Sequence, residues 1–115
     1  MASFYDEAFS VLKGLEVPFR QQNSTHVFHQ YTLKIKNGRR NELQQFLFEL
    51  GIPSMIYYPL PLYKQEAFHQ FTPPDFRLEI TEQLCDEVLS LPIHTEMNIE
   101  EMKYICNSIL AFFNK

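Results

Sequence analysis

The chain reads as an α+β domain, a small, mostly antiparallel sheet with helices packed on one face. Three features lead there. Residues 26–36 alternate apolar and polar at a period of two, the pattern of a strand with one wet side. Apolar residues at helical spacing mark segments before and after it, at 3–14, 39–50, 76–88 and about 98–112. The strand-prone pieces are few and are separated by helices, which favours a helix-backed sheet over two stacked sheets.

The first helix is expected over 3–14. Ser3 stands before Phe4 as a cap, Asp6 and Glu7 suit the first turn, and Gly14 closes the helix. Phe4, Ala8, Val11 and Leu12 form its inward stripe. Pro18 and the run Gln21-Gln22-Asn23-Ser24 make 15–25 a linker into a core at 26–113. In the strand, Val27, His29, Tyr31, Leu33 and Ile35 share the apolar face, and Phe28, Gln30, Thr32, Lys34 and Lys36 the other.

Asn37-Gly38 turns the chain into the helix at 39–50, with Leu43, Phe46, Leu47 and Leu50 inward, and Gly51 and Pro53 end it. Ser54 to Tyr58 is β-prone, and Pro59 and Pro61 keep the next residues extended. A short helical piece at 62–69 and a loop through Phe71-Thr72-Pro73-Pro74 lead to Asp75, placed to cap the helix at 76–88. Ile80, Leu84, Cys85 and Val88 are its inward residues. Ser90 to Ile93 suits an edge strand, because Pro92 cannot donate to a ladder. Asn98-Ile99-Glu100-Glu101 has the form of a capping box for a last helix with Ile99, Met102, Ile105, Cys106 and Ile109 inward.

With 115 residues, 45% of them apolar, the chain is expected to be one globular domain over 1–115. Its net charge is −4 and Arg39-Arg40 is its only basic pair, so no nucleic-acid footprint is expected. The start has no basic flank ahead of an apolar run, and no stretch reaches membrane-spanning length, so a cytoplasmic protein without a membrane partner is expected. Cys85 and Cys106 lie on inward helical faces; the count allows one disulfide, and two buried, reduced thiols are expected instead.

Motifs for chemistry are sparse. His26 and His29 fall on opposite strand faces, and His69 and His94 lie far off, so no metal site is expected. Gly14, Gly38 and Gly51 are the only glycines, and no phosphate-cradling loop is built from them. Glu100-Glu101 and Asp86-Glu87 read as solvated surface, and no catalytic residue is expected. The unusual stretch is Tyr57-Tyr58-Pro59-Leu60-Pro61-Leu62-Tyr63. Its tyrosines either pack or line a pocket for a polar organic ligand.

Several segments, taken in order, resemble the C-terminal part of the DegT/DnrJ/EryC1/StrS family of PLP-dependent sugar aminotransferases. They are His26-Val27-Phe28-His29-Gln30-Tyr31, Asn41-Glu42-Leu43 through Gly51-Ile52-Pro53-Ser54, the Tyr57 to Tyr63 run, and Glu82 through Ser90-Leu91-Pro92-Ile93-His94. The resemblance covers nearly the whole chain. It implies the small C-terminal domain of a fold-type I enzyme that aminates nucleotide-linked keto sugars for amino-sugar or surface-polysaccharide synthesis.

In that family the larger N-terminal part holds pyridoxal phosphate (PLP) on a lysine. Lys13, Lys34, Lys36, Lys64, Lys103 and Lys115 do not match that lysine, so the resemblance implies no cofactor in this chain and PLP in the full-length enzyme. It implies as partners the large domain or a second copy, with a nucleotide-sugar substrate, and a chain that is inactive by itself. Tyr57, Tyr58, Tyr63 and His29 are the substrate-side residues it points to. Tyr57 and Tyr63 stand where the family has histidine, which exchanges imidazole for phenol. The alternative is a standalone, non-enzymatic binding or oligomerisation module. The detached domain predicts an exposed apolar surface, and the standalone module predicts a covered one.

Overall fold

A computed structural model describes residues 1–114. The elements are α1 (Ala2–Phe9), β1 (Leu15–Glu16), β2 (Tyr31–Ile35), α2 (Arg40–Glu49), a 3-10 turn (Leu62–Lys64), α3 (Glu66–His69), α4 (Glu79–Glu87), β3 (Val88–Leu91) and α5 (Ile99–Phe113). The sheet runs β1-β2-β3 with both pairs antiparallel, Leu15 opposite Ile35 and Tyr31 opposite Leu91.

The alternation in β2 sets the layers. Tyr31, Leu33 and Ile35 are fully buried, and α1, α2 and α5 cover them with Tyr5 and Phe9, Leu43 and Leu47, and Ile105, Ile109 and Phe112. Each such side chain contributes about 2 kcal/mol by leaving water. On the opposite face the hydroxyls of Thr32 and Ser90 pair at 2.8 Å and Lys34 reaches Glu16 at 3.2 Å. The fold is therefore α+β with helices on one face, as the periodicities predict.

The turn chemistry also holds. Asn37 and Gly38 both take positive φ. At the end of α2, Gly51 (φ 71°) donates to the Phe48 carbonyl and Ile52 to the Leu47 carbonyl, a complete Schellman motif. The Asn98 side chain accepts from the backbone of Glu100 and Glu101, while the Glu101 carboxylate accepts from the Asn98 N–H, which completes the capping box. Cys85 and Cys106 are free and buried, and burial pushes the Cys106 thiol up to about 11.

Other expectations fail for physical reasons. The strand covers only 31–35, because β3 supplies no partner beyond Leu91 and Pro92 has no N–H to extend the ladder. Residues 26–30 leave the sheet, so Val27 is 97% exposed and His29 is at the surface rather than on a packed face. Helix α1 starts at Ala2 without a side-chain cap and stops at Phe9, so Ser3 caps nothing and Asp6 and Glu7 lie past its first turn. Tyr5 and Phe9 are its buried residues, Phe4, Ala8 and Leu12 pack partly buried against the core as expected, and Val11, beyond the helix end, is exposed. Leu15–Glu16, expected in a linker, is the edge strand β1.

Helix α4 begins at Glu79, not 76, and Asp75 is not its cap. Leu78 holds that position and donates its N–H to the Tyr63 hydroxyl. Ile80 faces solvent, while Cys85 turns inward. Leu50 and Ile99 are partly exposed at helix ends. Glu87 is not free surface: it binds Lys36 at 2.8 Å. The β-prone 54–58 stretch contributes one bridge, in which Met55 and Ser90 exchange backbone hydrogen bonds of 3.0 and 2.7 Å. The Tyr57–Tyr58 peptide beyond it is cis.

Candidate functional site: a groove at the edge of the sheet

The Met55–Ser90 bridge lays the chain after α2 along the free edge of β3. His29 and Gln30 leave the start of β2 on the same side, and Pro92 to His94 leave the end of β3. Together they enclose an open groove of about 270 Å³ whose lining includes His29, Gln30, Ser54, Tyr57, Pro92 and His94. Two residues singled out from the sequence, His29 and Tyr57, thus meet here. Tyr58 is not in the lining; it stands edge-on to Tyr57, 5.7 Å between ring centres, and is mostly exposed.

Tyr63 is elsewhere. It lines a separate hollow of about 410 Å³ with Lys64, His69, Thr72 and Phe76. Its ring meets Phe76 edge-on at 5.1 Å, and its hydroxyl donates to the Glu82 carboxylate. Arg77 at 2.6 Å and Lys64 at 2.8 Å bind the same carboxylate. Hydrogen bonds from Arg77, Lys64 and Tyr63 hold the Glu82 carboxyl down at about 2. This cluster fastens the 61–78 arm to α4 and leaves the Tyr63 hydroxyl committed.

Gln30, Ser54 and His94 join the groove without having been singled out from the sequence. No local pattern marks them, because it is the long-range bridge at Met55 that assembles their surroundings. His94 also borders an adjoining hollow of about 250 Å³, which shares Pro53 and Pro92 and continues past Met97 to Tyr104. The Tyr104 hydroxyl is spent on the Leu50 carbonyl at 3.0 Å.

Attachment of a cofactor to a lysine needs an amine that can lose its proton. Its hydrogen bond to the Glu87 carboxylate raises the Lys36 ammonium, and one to Glu82 raises Lys64, so both are held charged. Lys34 pairs with Glu16 and Lys103 with Glu100, Lys13 is exposed, and none of these lines the groove. Lys115 lies outside the described residues. The described lysines do not fit the attachment of PLP. Among the described residues no group of three or more His, Cys, Asp or Glu could hold a metal ion. Among the described residues no helix is long and apolar enough to cross a membrane.

The fold is that of part of an aminotransferase chain. S. venezuelae DesV, solved in complex with a ketimine intermediate, matches 99% of this chain with a TM-score of 0.91 and 25% identity, and the match takes up 30% of the DesV chain. The chain belongs to the DegT/DnrJ/EryC1/StrS aminotransferase family, whose sequence pattern matches residues 1–110. That family is PLP-dependent. A "pleiotropic regulatory protein" of Geobacillus stearothermophilus is 43% identical over 88 residues, 76% of this chain and 23% of its own length. A UDP-2-acetamido-2-deoxy-3-oxo-D-glucuronate aminotransferase of Pseudomonas aeruginosa is 30% identical over 109 residues, 95% of this chain and 29% of its own length. The chain therefore spans less than a third of the length of the curated relatives it matches.

Proposed function

We propose that this chain is the C-terminal small domain of a PLP-dependent nucleotide-sugar aminotransferase that serves amino-sugar or surface-polysaccharide synthesis, and that it is inactive by itself. The observation that carries the reading is the match to DesV over 99% of this chain and only 30% of that one. The groove, the charged lysines and the Pseudomonas relative's UDP-sugar substrate support it. PLP and its lysine belong to the larger remainder of the enzyme, and the 1–115 chain lies on the substrate side of the cleft. His29 and Tyr57 are the substrate contacts the geometry favours, with Tyr58 at their margin, whereas Tyr63 acts through the arm it holds.

The partner in this reading is the rest of the enzyme, or a second copy of it, in the cytoplasm. The arm at 60–80 suits such a partner, because Leu62, Phe71 and Ile80 are each more than 60% exposed. A standalone module would cover these side chains.

Two measurements test the proposal. Borohydride added to the chain with PLP is expected to fix no cofactor on a lysine, as read by mass. A chimera in which this chain replaces the matching segment of the Pseudomonas enzyme is expected to transfer the amino group of glutamate to a keto sugar. A stoichiometric adduct on one lysine of the chain alone overturns the assignment, as does a folded chimera that binds PLP and transfers nothing.

A further inference from the structure

Asn37 is the only asparagine of the chain that is followed by glycine. An asparagine is chemically labile because the backbone nitrogen of the next residue can attack its side-chain Cγ, and a side chain on that next residue stands in the way. Gly38 has none, and the place a Cβ would take has nothing within 4 Å of it, so the approach is open. Asn37 and Gly38 are both exposed, with φ of 60° and 69°. Neither the Asn37 side chain nor the Gly38 N–H is hydrogen-bonded to a described residue. The bond across the turn, from the Arg39 N–H to the Lys36 carbonyl, is long at 3.4 Å.

The other asparagines each lack one of these features. Asn98 accepts the Glu100 and Glu101 N–H groups at 2.9 Å, and Asn41 accepts from the Arg40 Nε at 2.6 Å, so both side-chain oxygens are held in place. Asn107 lies within α5, where the N–H that follows it belongs to the helical ladder. Asn23 is exposed like Asn37, but Ser24 follows it and puts a Cβ beside the attacking nitrogen. Asn114 precedes Lys115, which lies outside the described residues.

We propose that the Asn37–Gly38 turn is a self-modification site, at which Asn37 deamidates to aspartate and isoaspartate and the isoaspartate form loosens the start of α2. The Gly38 nitrogen gives up its proton and bonds to the Asn37 Cγ. The Cγ–Nδ2 bond breaks, and the side-chain nitrogen leaves as ammonia. Water then opens the cyclic imide. Attack at Cγ gives aspartate, and attack at the main-chain carbonyl gives isoaspartate, whose backbone runs through the former side chain and is longer by a carbon. Water is the only co-reactant, and nothing is oxidised or reduced. The proposal does not depend on the aminotransferase reading.

The two products differ in what they do to the fold. Aspartate tolerates the left-handed region as asparagine does, so the turn survives with an added carboxylate between Lys36 and Arg39. Isoaspartate inserts its extra carbon between two fixed points. On one side Ile35 pairs with Leu15 in the sheet. On the other, Arg40 sends its guanidinium to the Cys85 and Val88 carbonyls at 3.1 and 3.2 Å. A longer connection cannot keep the turn and both anchors in their present places, and the turn with the first residues of α2 is the part that gives.

The test incubates the full chain at rising pH and follows its peptides by mass, with an isoaspartyl methyltransferase assaying the isoaspartate. The peptide holding Asn37 is expected to convert while the Asn23 peptide stays intact, and to convert faster as the pH rises, because the Gly38 N–H must lose its proton. Asn37→Gly keeps the positive φ without the side chain and is expected to form no isoaspartate there. In the isolated isoaspartate form, amides from 38 to 43 are expected to exchange faster than in the parent, whereas freshly prepared Asn37→Asp matches the parent. Conversion of Asn23 ahead of Asn37 overturns the proposal. So does an Asn37 that persists under conditions that convert a synthetic peptide of residues 34–42, because the turn then shields it. Unchanged exchange in the isoaspartate form overturns the link to α2.

Discussion

Tyr63 donates its hydroxyl to Glu82 at 2.5 Å, and the same hydroxyl accepts the N–H of Leu78 at 3.3 Å. One phenol thus ties both ends of a loop to the start of α4. The arm between Pro61 and Leu78 contributes no side chain to the core, so this polar fastening, with the Tyr63–Phe76 contact, decides how firmly it is held.

Tyr63→Phe should therefore loosen the arm while sparing the core. The ring contact with Phe76 survives and the two hydrogen bonds do not. Amide exchange across 62–78 is expected to accelerate, and limited proteolysis to cut there first, with α5 amides unchanged. Tyr57→Phe is the comparison, since that hydroxyl has no partner among the described residues, and it should leave arm exchange untouched.

Glu82 makes the fastening acid-sensitive. Its carboxyl sits at about 2 in the folded chain against an ordinary 4.5, because Arg77, Lys64 and Tyr63 bind its charged form. A depressed carboxyl contributes stability that is fully present above about 4.5 and is lost as the pH falls towards 2. The carboxyl carbon shift of Glu82 should titrate near the lower value. In Tyr63→Phe its midpoint should rise. A midpoint at 4.5 in the parent chain would mean that the cluster does not persist in solution.

Two candidate caps separate local pattern from real contact. Asn98→Ala removes a side chain that accepts two backbone N–H groups at 2.9 Å, and should cost about 1 kcal/mol in chemical denaturation. Asp75→Ala should change stability by less than about 0.5 kcal/mol, because the helix after it starts at Glu79 without its help.

The same distinction explains what the sequence could and could not reveal. The alternation through Tyr31, Leu33 and Ile35 is legible because each of these residues has a strand neighbour. The identical alternation at 26–30 means nothing structurally, since a ladder needs a partner and Pro92 ends the one available. In α1 two apolar stripes overlap, and only the position of the helix end decides that Tyr5 and Phe9 face the sheet rather than Val11. The groove was half legible. Tyr57 stood out by composition and His29 by resemblance, but their meeting depends on the Met55–Ser90 bridge. Tyr63 lies outside that groove, and nothing local announces that Glu82 will claim its hydroxyl.

Arg40 is the least expected residue in the interior, 7% exposed at the first turn of α2. Its Nη1 donates to the carbonyls of Cys85 at 3.1 Å and Val88 at 3.2 Å, and its Nε donates to the Asn41 side chain at 2.6 Å. These carbonyls belong to the last turn of α4 and its C-cap, where helical partners run out and a cation is favoured by the helix dipole. Arg40 therefore joins α2 to the α4–β3 junction on which the sheet edge depends. Arg40→Met keeps most of the stem's volume and removes every donor, so it should cost about 1.5–3 kcal/mol, the range for buried bonds to a charged group. Arg40→Lys restores a charge without the guanidinium fork and should recover only part of the loss. Urea unfolding measures both, as a lower midpoint at constant slope. If Arg40→Met unfolds at the parent midpoint, water satisfies those carbonyls and the junction is held by its apolar contacts alone.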